Sequence, residues 1–236
     1  MSTPSIPHWL DRQCTLIGAD ACAMLATKAV MVVGLGGVGG HAVEALARTG
    51  IGRLILVDMD TVSESNRNRQ LLATTETVGT HKALAAEARV HILSPDTEVT
   101  PLIQAVTPEN VRELIAHHQP DAIIDAIDDV RAKVALAEAA REGSCYLISA
   151  MGTGNKLHPE RLQISDISKT AYCPLAKAVR TALRRVGINH LPVVWSDEPP
   201  AHIGSPVPAS ISFVPGAAGM LLASAVINHF LEENNA

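Results

Sequence analysis

Between residues 34 and 82 the sequence sets a glycine loop, carboxylates, amides and cations along one short length of chain. The loop reads Gly34-Leu35-Gly36-Gly37-Val38-Gly39-Gly40, after the apolar run Val30-Met31-Val32-Val33 and before Ala42-Val43-Glu44-Ala45-Leu46-Ala47. A strand, then glycines, then a helix is the setting in which G-x-G-x-x-G spacing has chemical meaning. Glycines at 34, 36, 37 and 39 let the backbone turn tightly and let a phosphate reach N–H groups at the helix start, where the helix dipole favours negative charge. A second strand, Leu54-Ile55-Leu56-Val57, ends in Asp58-Met59-Asp60, so Asp58 stands where a strand-end carboxylate binds ribose hydroxyls. The chain then supplies Asn66-Arg67-Asn68-Arg69-Gln70 and, after Val78-Gly79, Lys82. Cations aimed at one crevice suit a triphosphate better than a dinucleotide's pyrophosphate, and they neutralise charge on a leaving phosphate. The spacing therefore points to ATP.

A third apolar run, Asp121-Ala122-Ile123-Ile124-Asp125-Ala126-Ile127, delivers Asp128-Asp129 to the same sheet edge. Open parallel sheets bind ligands outside the carboxyl ends of their strands. Asp128 is thus placed to hold Mg²⁺, which takes one or two carboxylates plus phosphate oxygens. Asp125 reads as a structural hydrogen-bonding residue. Arg131 and Lys133 read either as substrate contacts or as helix-surface charges.

Positioning these groups takes alternating strands and helices, hence βαβ units and an α/β, Rossmann-like, mostly parallel sheet flanked by helices. The pattern predicts an initial helix over 13–28, strands at 30–34, 54–58, 97–101, 121–127 and 145–150, and helices at 37–48, 80–93 and near 130–141. Thr107-Pro108-Glu109 reads as the opening of another helix, with proline at its first position. Beyond Gly152 the pattern loosens into a C-terminal extension of mixed strands and a terminal helix, from Gly216 to about Glu232. That helix is apolar, but a membrane span needs about 20 apolar residues, and Asn228 and His229 interrupt it, so core or dimer packing is expected.

The chain has 236 residues, 47% of them apolar, enough for one substantial core. Cys14, Cys22, Cys145 and Cys173 form no C-x-x-C pair, which argues for a reducing compartment and against structural zinc. No two histidines stand four apart, so a histidine-built metal site is not expected. Residues 1–9 lack a charged segment followed by an apolar one, and the expectation is a cytoplasmic protein.

Taken together, Arg12-Gln13, the glycine loop, Asp58-x-Asp60, Asn66-x-x-Arg69-Gln70, Val78-Gly79-x-x-Lys82 and Asp125-x-x-Asp128 resemble the ubiquitin-activating-enzyme-like (ThiF-type) adenylyltransferase superfamily. Within it, Ala45–Gly52, Ile124–Asp128, Asp166-Ile167-Ser168-Lys169-Thr170, Pro174-Leu175-Ala176 and Arg180 are similar to the tRNA threonylcarbamoyladenosine dehydratases. The resemblance implies one adenylation domain over residues 1–236, with a nucleotide part at 1–150 and a tRNA-facing and dimer part at 151–236. It also implies that Asp58 binds the ATP ribose, that Arg69 and Lys82 contact phosphates, and that Asn66 and Gln70 help orient them. Asp128 would sit by the metal, and Arg12 would reach across a homodimer interface. The implied reaction is ATP-dependent cyclisation of threonylcarbamoyladenosine beside the anticodon, through an acyl-adenylate and without a protein nucleophile. A sulfur-transfer protein is a candidate further partner.

One charge pattern stands apart from the family. No acidic residue lies between Asp166 and Asp197, while Lys169, Lys177, Arg180, Arg184 and Arg185 are all basic, in a chain of net charge −5. On a helix over 174–186, Lys177, Arg180 and Arg184 share a face, a candidate track for RNA phosphates, with Lys169 beside it. Three other readings stay open: an activating enzyme for a ubiquitin-like or sulfur-carrier protein, for which Cys173 is the one tempting thiol; an NAD-dependent oxidoreductase; and a nucleotide-binding protein without turnover.

Overall fold

Runs buried on both faces build the centre of the molecule. Ala29–Val33 (β1) and Ala122–Asp125 (β4) are buried at every position, and Arg53–Val57 (β2) and Tyr146–Ala150 (β5) at all but the first. Such runs require a parallel sheet with helices on both sides. The computed structural model describes residues 6–201, 204 and 207–234. Met1–Ser5, which carry part of the N-terminal reading, lie outside it.

Among the described residues seven strands form one sheet, completed by Glu98–Leu102 (β3), Leu162–Asp166 (β6) and Pro192–Ser196 (β7), in the order β3-β2-β1-β4-β5-β7-β6. All neighbours are parallel except β6 and β7, an antiparallel pair at one edge. This is the expected mixed extension. The chain runs outward from β1 through β2 and β3, then returns on the other side of β1 as β4. A crevice therefore opens beside the carboxyl end of β1. Val33 is in register with both Val57 and Asp125, and Asp125 with Ser149, so the strands deliver their next residues to a common edge.

Strand alternation feeds two cores. Val30, Val32, Leu54, Leu56 and Ile124 face Gly39–Arg48 (α3), Lys82–Leu93 (α4) and Phe213–Asn234 (α8). Met31, Val33, Ile55, Val57 and Ile123 face Val111–His118 (α5), Val130–Glu142 (α6) and Pro174–Arg185 (α7). Helix α8 is long and apolar enough to cross a membrane, with mean hydropathy 1.5, yet half of that stretch is buried in the protein. Val214, Ala218, Leu222, Val226 and Phe230 form its buried stripe at four-residue spacing. Gly219 lets it lie against α3, since a Cβ there would come within 2.3 Å of the Val38 carbonyl oxygen.

Two expectations about helices need correction. The helix expected over 13–28 breaks at Gly18, whose φ of 90° ends Asp11–Ile17 (α1) and starts Ala19–Leu25 (α2). Thr107-Pro108-Glu109 forms a turn rather than a first helical turn. Asn110 Oδ1 accepts from Thr107 N–H at 2.8 Å and its amide donates to the Ala105 carbonyl, so the side chain closes the turn and α5 begins at Val111.

Candidate nucleotide-binding site

The glycine loop leaves β1 at Gly34, in the left-handed region at φ 86°, with its N–H bonded to the Val57 carbonyl at 2.8 Å. The loop is clamped to the chain leaving β4. A Cβ on Gly34 would lie 2.9 Å from Ala126 backbone atoms, and one on Gly39 would lie 1.8 Å from the Gly34 oxygen. Ala126 N–H in turn bonds the Val33 carbonyl. Among the described residues no protein acceptor takes the N–H groups of Gly36, Gly37 or Val38, immediately before α3. Free donors at a helix start suit an anion.

Asp58 follows β2 and braces this loop. Its Oδ2 accepts from Leu35 N–H at 2.6 Å and its Oδ1 from Asp60 N–H at 2.8 Å. Each oxygen keeps a lone pair for a hydroxyl. Lys82 opens α4 and is almost wholly buried, its ammonium 2.8 Å from Asp60 Oδ2, whose side chain is half exposed. Gln70 is buried with its Oε1 unpartnered, and its Nε2 lies beside Gly36. A buried amide oxygen without a partner costs about 1–3 kcal/mol. A donor supplied by a bound nucleotide, or an ordered water, would relieve it. Arg69 is half-buried and directed by the Ser65 carbonyl and Asn68 Oδ1, both at 2.8 Å.

Asn66 braces the turn beside these groups. Its Oδ1 accepts from Ser63 N–H at 3.1 Å and the Ser63 side chain reciprocates, so it caps the short turn Glu64–Asn66 that presents Arg69 and Gln70. Asp128 is exposed and makes no protein hydrogen bond among the described residues, whereas Asp129 caps α6 through Ala132 N–H at 2.7 Å. One free carboxylate at the phosphate edge fits Mg²⁺, which draws its other ligands from water and phosphate. No cluster of three or more acidic, histidine or cysteine side chains is present among the described residues.

Arg12 is not brought to this cluster within one chain. Gln13 beside it bonds the Thr49 carbonyl at the far end of α3, opposite the loop. At 1.5 Å per residue, α3 separates the two by about 15 Å.

The basic face of α7 is rearranged relative to expectation. Lys177 and Arg184 are exposed, as is Lys169. Lys177 and Arg185 flank a groove between α7 and Val130 of α6. Arg180 instead turns inward, its Nη1 donating to the Thr170 carbonyl at 2.9 Å and to Thr170 Oγ1. The carbonyls of the 3₁₀ turn Ile167–Lys169 and Thr170 attract it, so Arg180 leaves the track.

None of the cysteines is set up as a nucleophile. Cys173 is the N-cap of α7, accepting from Ala176 N–H at 3.4 Å. Burial pushes the Cys145 thiol up to about 12. Burial and the Cys14 thiol, 2.7 Å away, push Cys22 up to about 11.

The sequence reading offered Lys133 as a substrate contact or a helix-surface charge, and the structure does not place it on the surface. It is fully buried, its ammonium 2.9 Å from each of Asp125 Oδ2, Ser149 Oγ and the Ala150 carbonyl. The available signal was its place in the apolar stripe Lys133-Leu136-Ala140 of α6.

A glycine loop with unpartnered amides, a strand-end carboxylate and two nearby cations at the crevice of a parallel sheet are the arrangement of a nucleotide-binding α/β protein. Residues 10–236 match the ThiF family, and the chain belongs to it. It is 38% identical to the tRNA threonylcarbamoyladenosine dehydratase of Bacillus subtilis, over 96% of both chains. The crystal structure of Escherichia coli tRNA N6-threonylcarbamoyladenosine dehydratase in complex with AMP superposes with a TM-score of 0.92 at 32% identity, covering 99% of each chain. The same enzyme's complex with ATP gives 0.89 at 33% identity, covering 95% of this chain and 94% of that one.

Proposed function

We propose that this protein uses ATP to dehydrate threonylcarbamoyladenosine beside the anticodon of tRNA, closing its side chain into a ring. The observation that carries the reading is the convergence of the free loop amides, Asp58, the Asp60–Lys82 pair and unpartnered Gln70 at one sheet edge, in a chain similar throughout to dehydratases of that name.

Asp58 would take the ribose hydroxyls and the loop amides the phosphates. The threonyl carboxylate attacks the α-phosphorus of ATP, a new P–O bond forms, and the bond to the β-phosphate oxygen breaks to release pyrophosphate. Lys82 and Arg69 stabilise charge on the phosphate oxygens as that bond breaks. Mg²⁺ held by Asp128 would supply further neutralisation of phosphate charge. In the second step the neighbouring carbamoyl group attacks the acyl carbon and loses a proton. AMP leaves with a carboxylate oxygen, so the nucleoside has lost one water. Both reacting groups belong to one substrate, and such proximity is worth up to about 7–11 kcal/mol. No protein thiol is required, in keeping with Cys173 acting as a helix cap.

Residues 1–150 would serve the nucleotide and 151–236 the tRNA, with Lys169, Lys177 and Arg184 against phosphates, in a cytoplasmic homodimer to which Arg12 contributes across the interface. The test is mass spectrometry of the anticodon-loop nucleoside after incubating protein, ATP, Mg²⁺ and modified tRNA. Loss of one water with stoichiometric AMP release is expected; an unchanged nucleoside would overturn the reading.

A further inference from the structure

The buried ammonium of Lys133 has no place in the chemistry above, yet it sits directly beneath it. We propose that Lys133 is a positioning residue that locks the Asp128 loop against the phosphate cradle and joins that loop to the chain leading into the substrate half. The proposal rests on the adenylation reading for what the loop positions.

The geometry behind it is continuous. Asp125 ends β4, fully buried, and uses both carboxylate oxygens. Oδ2 takes Lys133 Nζ at 2.9 Å and Ser149 Oγ–H at 2.6 Å, while Oδ1 accepts from Ile127 N–H at 3.3 Å. The last bond folds the chain just before Asp128. Ala126 and Ile127 are the residues against which Gly34 is packed with no room for a methyl group. The glycine loop and the Asp128 loop therefore share one wall, and a shift in either moves the other. Lys133 also donates to the Ala150 carbonyl, the last residue of β5. From there the chain continues to Asn155, which pairs with Ala209.

One ammonium thus fixes the ends of two adjacent strands, with every donor matched to an acceptor. A core needing only stability would be served as well by apolar residues of like volume, since buried ion pairs are weak stabilisers. Lys133 acts on the Asp128 loop through its backbone, at the Ile127 N–H that Asp125 accepts, and loss of such outer support around a metal site costs about 10–100-fold in metal affinity or activity.

Three variants test the role: Lys133→Met, Ser149→Ala and the double variant Asp125→Asn/Lys133→Met, which removes both charges together. The readouts are thermal unfolding, calorimetric ATP binding as a function of Mg²⁺ concentration, and kcat and KM for pyrophosphate release with modified tRNA. The double variant is expected to fold as well as wild type or better. Its kcat should still fall at least about tenfold and the Mg²⁺ requirement for ATP binding rise by a similar factor, both by more than any change in magnesium-free ATP binding. Ser149→Ala should show a smaller defect in the same two quantities. Should Lys133→Met fail to fold, the other two variants carry the test. Wild-type kcat and Mg²⁺ dependence in a stably folded double variant would overturn the proposal and leave the pair purely structural. Absence of pyrophosphate release from wild-type protein would instead count against the adenylation reading, while the Mg²⁺-dependent binding would still judge Lys133.

Discussion

Gly36 and Gly39 belong to one loop, yet a methyl group meets different neighbourhoods at the two. At Gly36 the nearest atom is the Gln70 amide nitrogen, 3.8 Å away, whereas at Gly39 it is the Gly34 carbonyl oxygen, at 1.8 Å. Gly39→Ala is expected to lose more than about 3 kcal/mol of stability, because backbone must move to admit the methyl. Gly36→Ala should keep its stability within about 0.5 kcal/mol but bind ATP at least about tenfold more weakly, since the second loop glycine is where backbone meets phosphate. Thermal unfolding and calorimetry on the two variants separate the effects; equal loss of stability would contradict the loop geometry. Lys82→Ala removes an ammonium whose partner Asp60 is half exposed and can be rehydrated. It should therefore fold, as should Arg69→Ala, while pyrophosphate release drops about 10²–10³-fold in each. The clustering of these residues was legible in the sequence because type and spacing alone restrict a glycine loop and the cations set beside it. The unpartnered Gln70 oxygen and the burial of Lys133 were not legible, because both depend on which elements come to surround a side chain.

Helix α3 carries Glu44, nearly buried and gripped by Arg48 from its own helix and by Arg89 from α4. Burial pushes its carboxyl up, but hydrogen bonds from Arg89 and then Arg48, with their charges, outweigh this and hold it below the ordinary value. A folded-state carboxyl lowered in this way contributes stability above the unfolded pKa, about 4.3, and the contribution is lost as pH falls through the folded value. Glu44→Gln should therefore cost about 1–2 kcal/mol at pH 7, less than a fully buried pair because both arginines reach water. In denaturant titrations the gap from wild type should hold down to about pH 4.3 and close below it; a gap that widened in acid would refute the assignment. Helix α7 makes a second case. Helical spacing put Lys177, Arg180 and Arg184 on one face, and it could not report that the carbonyls at Ile167 and Thr170 lie within reach of Arg180. Lys177→Ala and Arg184→Ala should each lower the salt slope of tRNA binding by about 0.7–0.9 with no loss of stability. Arg180→Ala should destabilise the protein and leave that slope nearly unchanged. Filter binding over a salt series, with unfolding curves, distinguishes the three. The main strands were readable from their apolar runs. The break at Gly18 was not, because a glycine inside a helical pattern shows its φ only once the flanking helices have somewhere to pack.

At the scale of the whole molecule the residue that one chain leaves apart from the site is Arg12. It is exposed on α1, with Gln13 anchored at the end of α3 remote from the glycine loop. An arginine there cannot reach the phosphates of its own subunit across about 15 Å of helix, although a two-fold axis could bring it to a neighbour's loop. The consequence is testable by mixing two inactive proteins. Arg12→Ala would lack the arginine that its partner's site needs, and Lys82→Ala would lack the lysine of its own site. In a heterodimer of the two, the site on the Arg12→Ala subunit has its own Lys82 and receives Arg12 from the other chain, while the second site lacks both. Random reassortment of equal amounts makes half the dimers mixed, each with one complete site, so activity should return to about a quarter of wild type. Pyrophosphate release after co-refolding or prolonged mixing is the measurement. If the mixture stays as inactive as its components while native mass spectrometry shows heterodimers, Arg12 does not act across an interface, and each subunit must complete its site alone.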